Sequence, residues 1–152
     1  MLVQQNYMKQ KYVKAHMKAA QVYAELSTAV RLQVGCVIVK DNTIIGIGYN
    51  GMPSGWDNVC ETVGHKDFTG TVLMKSKPEV LHAETNAIAK VSRSSNSTDN
   101  ADLFVTHAPC LECAKLIYQS GIKSVFYRDT YRSEEGIQFL QKCNVEVKQI
   151  GE

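Results

Sequence analysis

Apolar residues near the start of the chain, Met8, Tyr12, Ala15, Ala19, Val22 and Leu26, recur at alternating steps of four and three. That period puts them on one helical face and predicts an amphipathic helix over residues 6–27. The pattern then changes. VGCVIV (34–39) is an unbroken apolar run of strand length, Asp41-Asn42 supply a turn, and TIIGIGY (43–49) returns as a second strand. Helical spacing resumes over 81–91 and gives way to a serine- and asparagine-rich loop at 92–100.

DLFVT (102–106) reads as a third strand, followed by a helix over 109–120 with Gly121 where a C-terminal cap belongs. SVFY (124–127) is a fourth strand, 134–142 a helix, and VEVKQI (145–150) a last strand. The β-α-β alternation from the third strand onward implies parallel strands covered by helices. The expected fold is therefore α/β, a three-layer α/β/α sandwich around a mixed sheet of about five strands. At 152 residues, without repeat or linker, the chain is expected to form one domain, 1–152.

One stretch breaks the pattern. Residues 50–80, including GMPSGW and GHKDFTG, show weak periodicity and are too long for a plain connection. Glycines placed directly at a strand end point to a functional role for this stretch.

Charge narrows the partners. Seventeen Lys and Arg against fifteen Asp and Glu leave a net charge of +2, so no strong basic field gathers nucleic acid. The opening MLVQQNYMKQKYV lacks the apolar core of a secretory signal, and the longest apolar run, 34–39, cannot cross a bilayer. Five cysteines, an odd number, suggest reduced or metal-bound thiols and a cytoplasmic protein.

The chemistry gathers at His82, Cys110 and Cys113. Zinc takes nitrogen and sulfur ligands in a tetrahedron, and a catalytic site leaves one position to water. Pro109-Cys110-Leu111-Glu112-Cys113 opens a predicted helix, so its two thiols can converge on one ion. His82 opens the preceding helix, and the partial positive charge of both N-termini favours thiolates. Glu84, two residues after His82, is not needed as a ligand and is placed to move protons. His-x-Glu followed by Pro-Cys-x-x-Cys is the signature of zinc-dependent deaminases. Each half alone is weak: the cysteine pair could be a redox pair, or half of a structural zinc site completed by Cys60, His65 or Cys143. The joint pattern is specific.

At these residues the chain resembles the deoxycytidylate (dCMP) deaminase family, of the cytidine deaminase fold. The likeness runs over residues 31–147 and rests on QVGCVIV, GIGYNGMPSG, HAETNAI and APCLECAKLIYQSGIKSVFY. GYNGMPSG is the segment that related deaminases do not share. The resemblance implies conversion of dCMP to dUMP and ammonia, feeding thymidylate synthesis. It implies one catalytic zinc per chain and a homo-oligomer, usually a hexamer, activated by dCTP with magnesium and inhibited by dTTP. It also assigns Asn50, Tyr131 and Arg31 to the substrate, and Tyr49, Asn50, Gly51 and Gly55 to the regulatory nucleotide. In the implied mechanism Glu84 takes a proton from the attacking water, delivers one to N3 of the pyrimidine, and helps ammonia leave C4.

Some phage members of that family hold a second, structural zinc. Cys60 and His65 match part of such a set, but the segment before Arg31 supplies no cysteine, so no second ion is expected. His107-Ala108 stands where relatives often carry other residues. His16 is expected on a helix surface, and Cys36 and Cys143 in the core. Rival readings are a deaminase of tRNA adenosine, a free cytidine deaminase, and a non-catalytic zinc-stabilised binding module. The near-neutral charge and GYNGMPSG oppose the first, phosphate dependence would separate the second, and Glu84 opposes the third.

Overall fold

The computed structural model describes residues 8–151. In chain order these form α1 (Gln10–Ala24), β1 (Gly35–Lys40), β2 (Thr43–Tyr49), β3 (Glu61–Lys66), β4 (Val72–Ser76), α2 (Ala83–Ser92), β5 (Asp102–His107), α3 (Leu111–Gln119), β6 (Ser124–Asp129), α4 (Glu135–Lys142) and β7 (Glu146–Gln149). Five strands make one sheet in the order β2-β1-β5-β6-β7. β1 runs antiparallel to both β2 and β5, while β5, β6 and β7 are parallel.

Alternation along the central strands explains the layers. Val37 and Val39 of β1, Phe104 and Phe126 face α1, burying Val13, Met17 and Ala20. Cys36, Ile38, Leu103, Val105 and Val125 face the other way, onto Ala87, Ile117 and Leu140 of α2, α3 and α4. The result is the expected three-layer sandwich with a mixed five-stranded sheet. Asp41 and Asn42, at φ 50° and 60°, make the tight β1–β2 turn, and Gly121 at φ 78° ends α3.

Two expectations are corrected, and the stretch left without regular structure proves to contain some. The predicted helix starts at residue 6, outside the described residues, and its observed body is Gln10–Ala24. Its buried face is Val13, His16, Met17, Ala20 and Ala24, whereas Tyr12, Val22 and Leu26 are exposed. The small Ala20 and Ala24 allow contact so close that a methyl group on Gly35 would overlap the Ala20 carbonyl oxygen. Close approach, rather than side-chain bulk, sets which face docks.

His16 is buried, not on the surface. Its Nε2 donates to Asn42 Oδ1 at 2.8 Å, and its ring tilts over Phe104 with centroids 5.3 Å apart. Last, the weakly periodic stretch contains an antiparallel ribbon, β3–β4. The ribbon stands outside the main sheet, β4 is exposed throughout, and only Glu61 of β3 is buried. With neither face consistently covered, there was no alternation to read.

Candidate active site

The parallel strands end at one edge of the sheet, and the ends are tied together. Ala108 N–H donates to Asp129 O at 2.8 Å just after β5. Cys110 then serves as N-cap of α3, with Cys113 in its first turn, and His82 is N-cap of α2. Extended backbone at both caps turns these side chains toward one point. His82 Nδ1 lies 3.7 Å from Cys110 Sγ and 3.3 Å from Cys113 Sγ, and the three donor atoms fall within 4.8 Å of one another. Tetrahedral zinc with ordinary Zn–N and Zn–S bonds needs nitrogen–sulfur separations of about 3.6 Å. The set fits zinc.

Its electrostatics point the same way. Hydrogen bonds from Cys113 and then His82 hold the Cys110 thiol down at about 4. The same Cys110 interaction, with burial, pushes Cys113 up, and the bond to Cys110 raises His82. Without a cation the first thiolate forms readily and the second is opposed by the first; a dication removes that opposition. Glu84 is buried beside them, and burial raises its carboxyl above the usual range.

A cavity of about 720 Å³ opens over this point, and His82, Glu84, Cys110 and His107 are among its lining residues. Residues 9–129 match the family described as cytidine and deoxycytidylate deaminase zinc-binding region. The chain belongs to that deaminase family. It is 35% identical over 136 residues to ComE operon protein 2 of Bacillus subtilis, covering 88% of this chain and 68% of the relative. It is 38% identical over 121 residues to human deoxycytidylate deaminase, covering 78% and 66%. The dCMP deaminase of cyanophage S-TIM5, solved in complex with dCMP and dUMP, superposes with a TM-score of 0.85 at 41% identity. That match covers 95% of this chain and all of the phage chain.

The deaminase cavity brings together most of the residues singled out in the sequence. Asn50, Arg31 and Tyr131 line it, but Tyr49, Gly51 and Gly55 do not. Asn50 is committed to the backbone: its Oδ1 accepts from Val34 N–H at 2.9 Å and its Nδ2 donates to Leu32 O at 2.8 Å. Among the described residues no other group takes its second Nδ2 hydrogen or its second Oδ1 lone pair. Tyr49 gives its carbonyl to Asn86 Nδ2 and its ring to Lys90. Gly51 pairs with Leu81 through both backbone groups, at 3.1 and 2.8 Å. Cys60 is buried with its Sγ 3.5 Å from Thr28 Oγ1, while His65 is exposed on β3. Among the described residues one group of three donors lies within metal-binding range, His82, Cys110 and Cys113.

The cavity also holds residues that pattern alone did not flag: Glu61, Ser76, Lys77, Pro78 and Val80, all from the ribbon or its exit. His107 is there too, its Nε2 3.4 Å from Asp129 Oδ2 and its Nδ1 3.2 Å from Thr106 Oγ1. Burial lowers the His107 pKa, which favours the neutral ring. The basic lining residues are unequally committed. Lys77 pairs with Asp57 at 3.6 Å, whereas Arg31 and Arg132 have no carboxylate partner among the described residues.

Proposed function

We propose that this deaminase hydrolyses dCMP to dUMP and ammonia, supplying thymidylate synthesis, with one zinc ion and Glu84 at the centre. The observation that carries the choice of substrate is that Arg31, Tyr131 and Arg132 line the same cavity as His82 and Cys110. Unpaired positive charge facing a cavity suits a phosphate, and arginine can grip it with two parallel hydrogen bonds. The human relative's name and the S-TIM5 complex with dCMP and dUMP support the same substrate.

Zinc held by His82, Cys110 and Cys113 would supply Lewis-acid activation of water for attack at C4. Glu84 moves the protons: one from the attacking water to N3, then one to the departing ammonia. Its buried position suits the task, because burial raises the carboxyl and so favours holding the proton it takes from water until it is passed on. Asn50 fixes the 32–34 backbone beside the cavity and offers its remaining donor and acceptor to the sugar.

The regulatory reading rests on Gly51 and Gly55, with Tyr49 and Asn50 beside them. A methyl group added at either glycine would meet nothing within 4 Å, so the backbone there is open to a ligand. The Gly51–Leu81 pairing leads directly to His82, which couples this surface to the metal site. Activation by dCTP with Mg2+ and inhibition by dTTP would act through that link. Exposed Tyr12 and Val22 on α1, with Leu26, Val30 and Leu32 after it, support a homo-oligomer, a hexamer foremost. The chain would act as one catalytic domain in the cytoplasm, where its free thiols stay reduced.

Ammonia release from dCMP, dCTP, deoxycytidine and adenosine tests the proposal. dCMP should be preferred strongly over all three. Equal kcat/KM for deoxycytidine would remove the phosphate requirement, and preference for adenosine would overturn the base.

A further inference from the structure

We infer that Glu61 is a positioning residue for the phosphate end of the cavity, acting through Arg31. Arg31 lies in the loop between α1 and β1, which has no regular structure of its own. One part of that loop is tied by Asn50, at Leu32 and Val34. The part carrying Arg31 is tied by Glu61, whose Oε1 accepts from Val30 N–H at 2.9 Å and from Arg31 N–H at 3.2 Å.

The register of the ribbon extends the grip. Glu61 faces Ser76 across β3–β4, and Arg31 Nη1 donates to Ser76 Oγ at 3.4 Å. A single rung thus holds residue 31 by its backbone on one strand and by its side chain on the other. The rung is closed by Lys77 N–H donating to Cys60 O at 2.8 Å.

Glu61 is 6% exposed, although every other residue of β3 is more open. A carboxylate is costly to bury unless hydrogen-bonded, and among the described residues no lysine, arginine or histidine pairs with it. Two backbone N–H groups meet its need instead. Val30 and Arg31 are themselves exposed, so water could satisfy their N–H groups if Glu61 were absent. The tether therefore adds little to folding and mainly fixes where the guanidinium starts from. An arginine held in place loses less freedom when it closes on a phosphate.

This inference rests on the reading of Arg31 as a phosphate contact, so the test separates the two. Calorimetry would measure dCMP and deoxycytidine binding to zinc-loaded Glu84→Gln protein, which holds substrate without turning it over. Glu61→Ala, Arg31→Ala and the double substitution are added to that background, with zinc content as the check on folding. Loss of a charge-assisted hydrogen-bond network should weaken dCMP binding about 5- to 30-fold in Glu61→Ala, and deoxycytidine binding less than about twofold. The double variant should bind dCMP no worse than Arg31→Ala, and Glu61→Gln, which keeps the acceptor oxygen, should recover most of the loss. Equal losses on both ligands, or losses that multiply with Arg31→Ala, would overturn the inference. An Arg31→Ala variant with unchanged dCMP affinity would overturn it as well, while leaving dCMP deamination itself standing. Failure of the Glu84→Gln protein to bind either ligand would refute the substrate reading and this inference with it.

Discussion

Gly48 on β2 lies so close beneath Ala83 on α2 that a methyl group on the glycine would overlap the Ala83 carbonyl oxygen. Ala83 stands between His82 and Glu84, so this contact sets the height above the sheet of both residues to which the proposed function gives zinc binding and proton transfer. Gly48→Ala should lift the start of α2. Overpacking against backbone costs typically about 1–3 kcal/mol, which denaturant unfolding will read. Zinc affinity and activity should fall together, whereas a variant of wild-type stability would show that α2 does not rest on Gly48.

Glu84→Gln keeps the shape of the side chain and removes its proton. General acid-base catalysis is worth about 10²–10⁴-fold, and a residue serving several transfers should cost at least the upper end of that range. Zinc content should be unchanged. Activity within about tenfold of wild type would exclude Glu84 from proton transfer.

The thiols make a prediction that needs no substrate. In metal-free protein Cys110 is depressed to about 4, and Cys113 is raised. A depressed thiol stays ionised as pH falls until it reaches its own pKa, whereas an ordinary thiol is protonated below about 8.5. Any stability from the Cys110 thiolate is therefore present above its unfolded pKa and lost as pH falls through about 4. At pH near 6, iodoacetamide should label Cys110 ahead of Cys113 and Cys36, and added zinc should protect it. Labelling of Cys36 first, or no protection by zinc, would contradict this.

His16 and Asn42 join α1 to the β1–β2 turn at the opposite edge from the cavity. Removing their hydrogen bond should cost about 1 kcal/mol, read as Asn42→Gly, which retains the positive φ. Asn42→Ala should cost about 1 kcal/mol more, because φ 60° is unfavourable for alanine. kcat on dCMP should not change in either variant.

Tyr131→Phe removes a hydroxyl at the cavity wall and nothing else. KM for dCMP should rise about 5- to 20-fold, the effect of one hydrogen bond to a charged group, while deoxycytidine kinetics stay the same. Equal losses on both substrates would take the phosphate role from Tyr131.

The sequence revealed the sheet and the convergence of Cys110 and Cys113 for the same reason: both follow short-range rules. Val34–Val39 is apolar because the strand is covered on both faces, and the Cys110–Cys113 spacing is one helical turn. The docked face of α1 was misread because Ala20 and Ala24 look weakly hydrophobic, although their smallness is what lets Gly35 approach. His16 was misread because its partner, Asn42, is 26 residues away in the chain. Glu61 gave no signal either, since its role depends on two N–H groups that arrive from 30 and 31 residues earlier.

Because β5 and β6 both deliver their C-terminal ends to the cavity, the turns that lead into β2, β5 and β7 lie at the far edge of the sheet. The 41–42 turn, the exposed loop near Asn96, and Asn144 after α4 belong to that edge. The two edges are separate in engineering terms. An affinity peptide or fluorescent reporter inserted beside Asn96 would sit at the far end of the strands from His82, Cys110 and Cys113, so the molecule offers an attachment point where a label can be carried without entering the cavity.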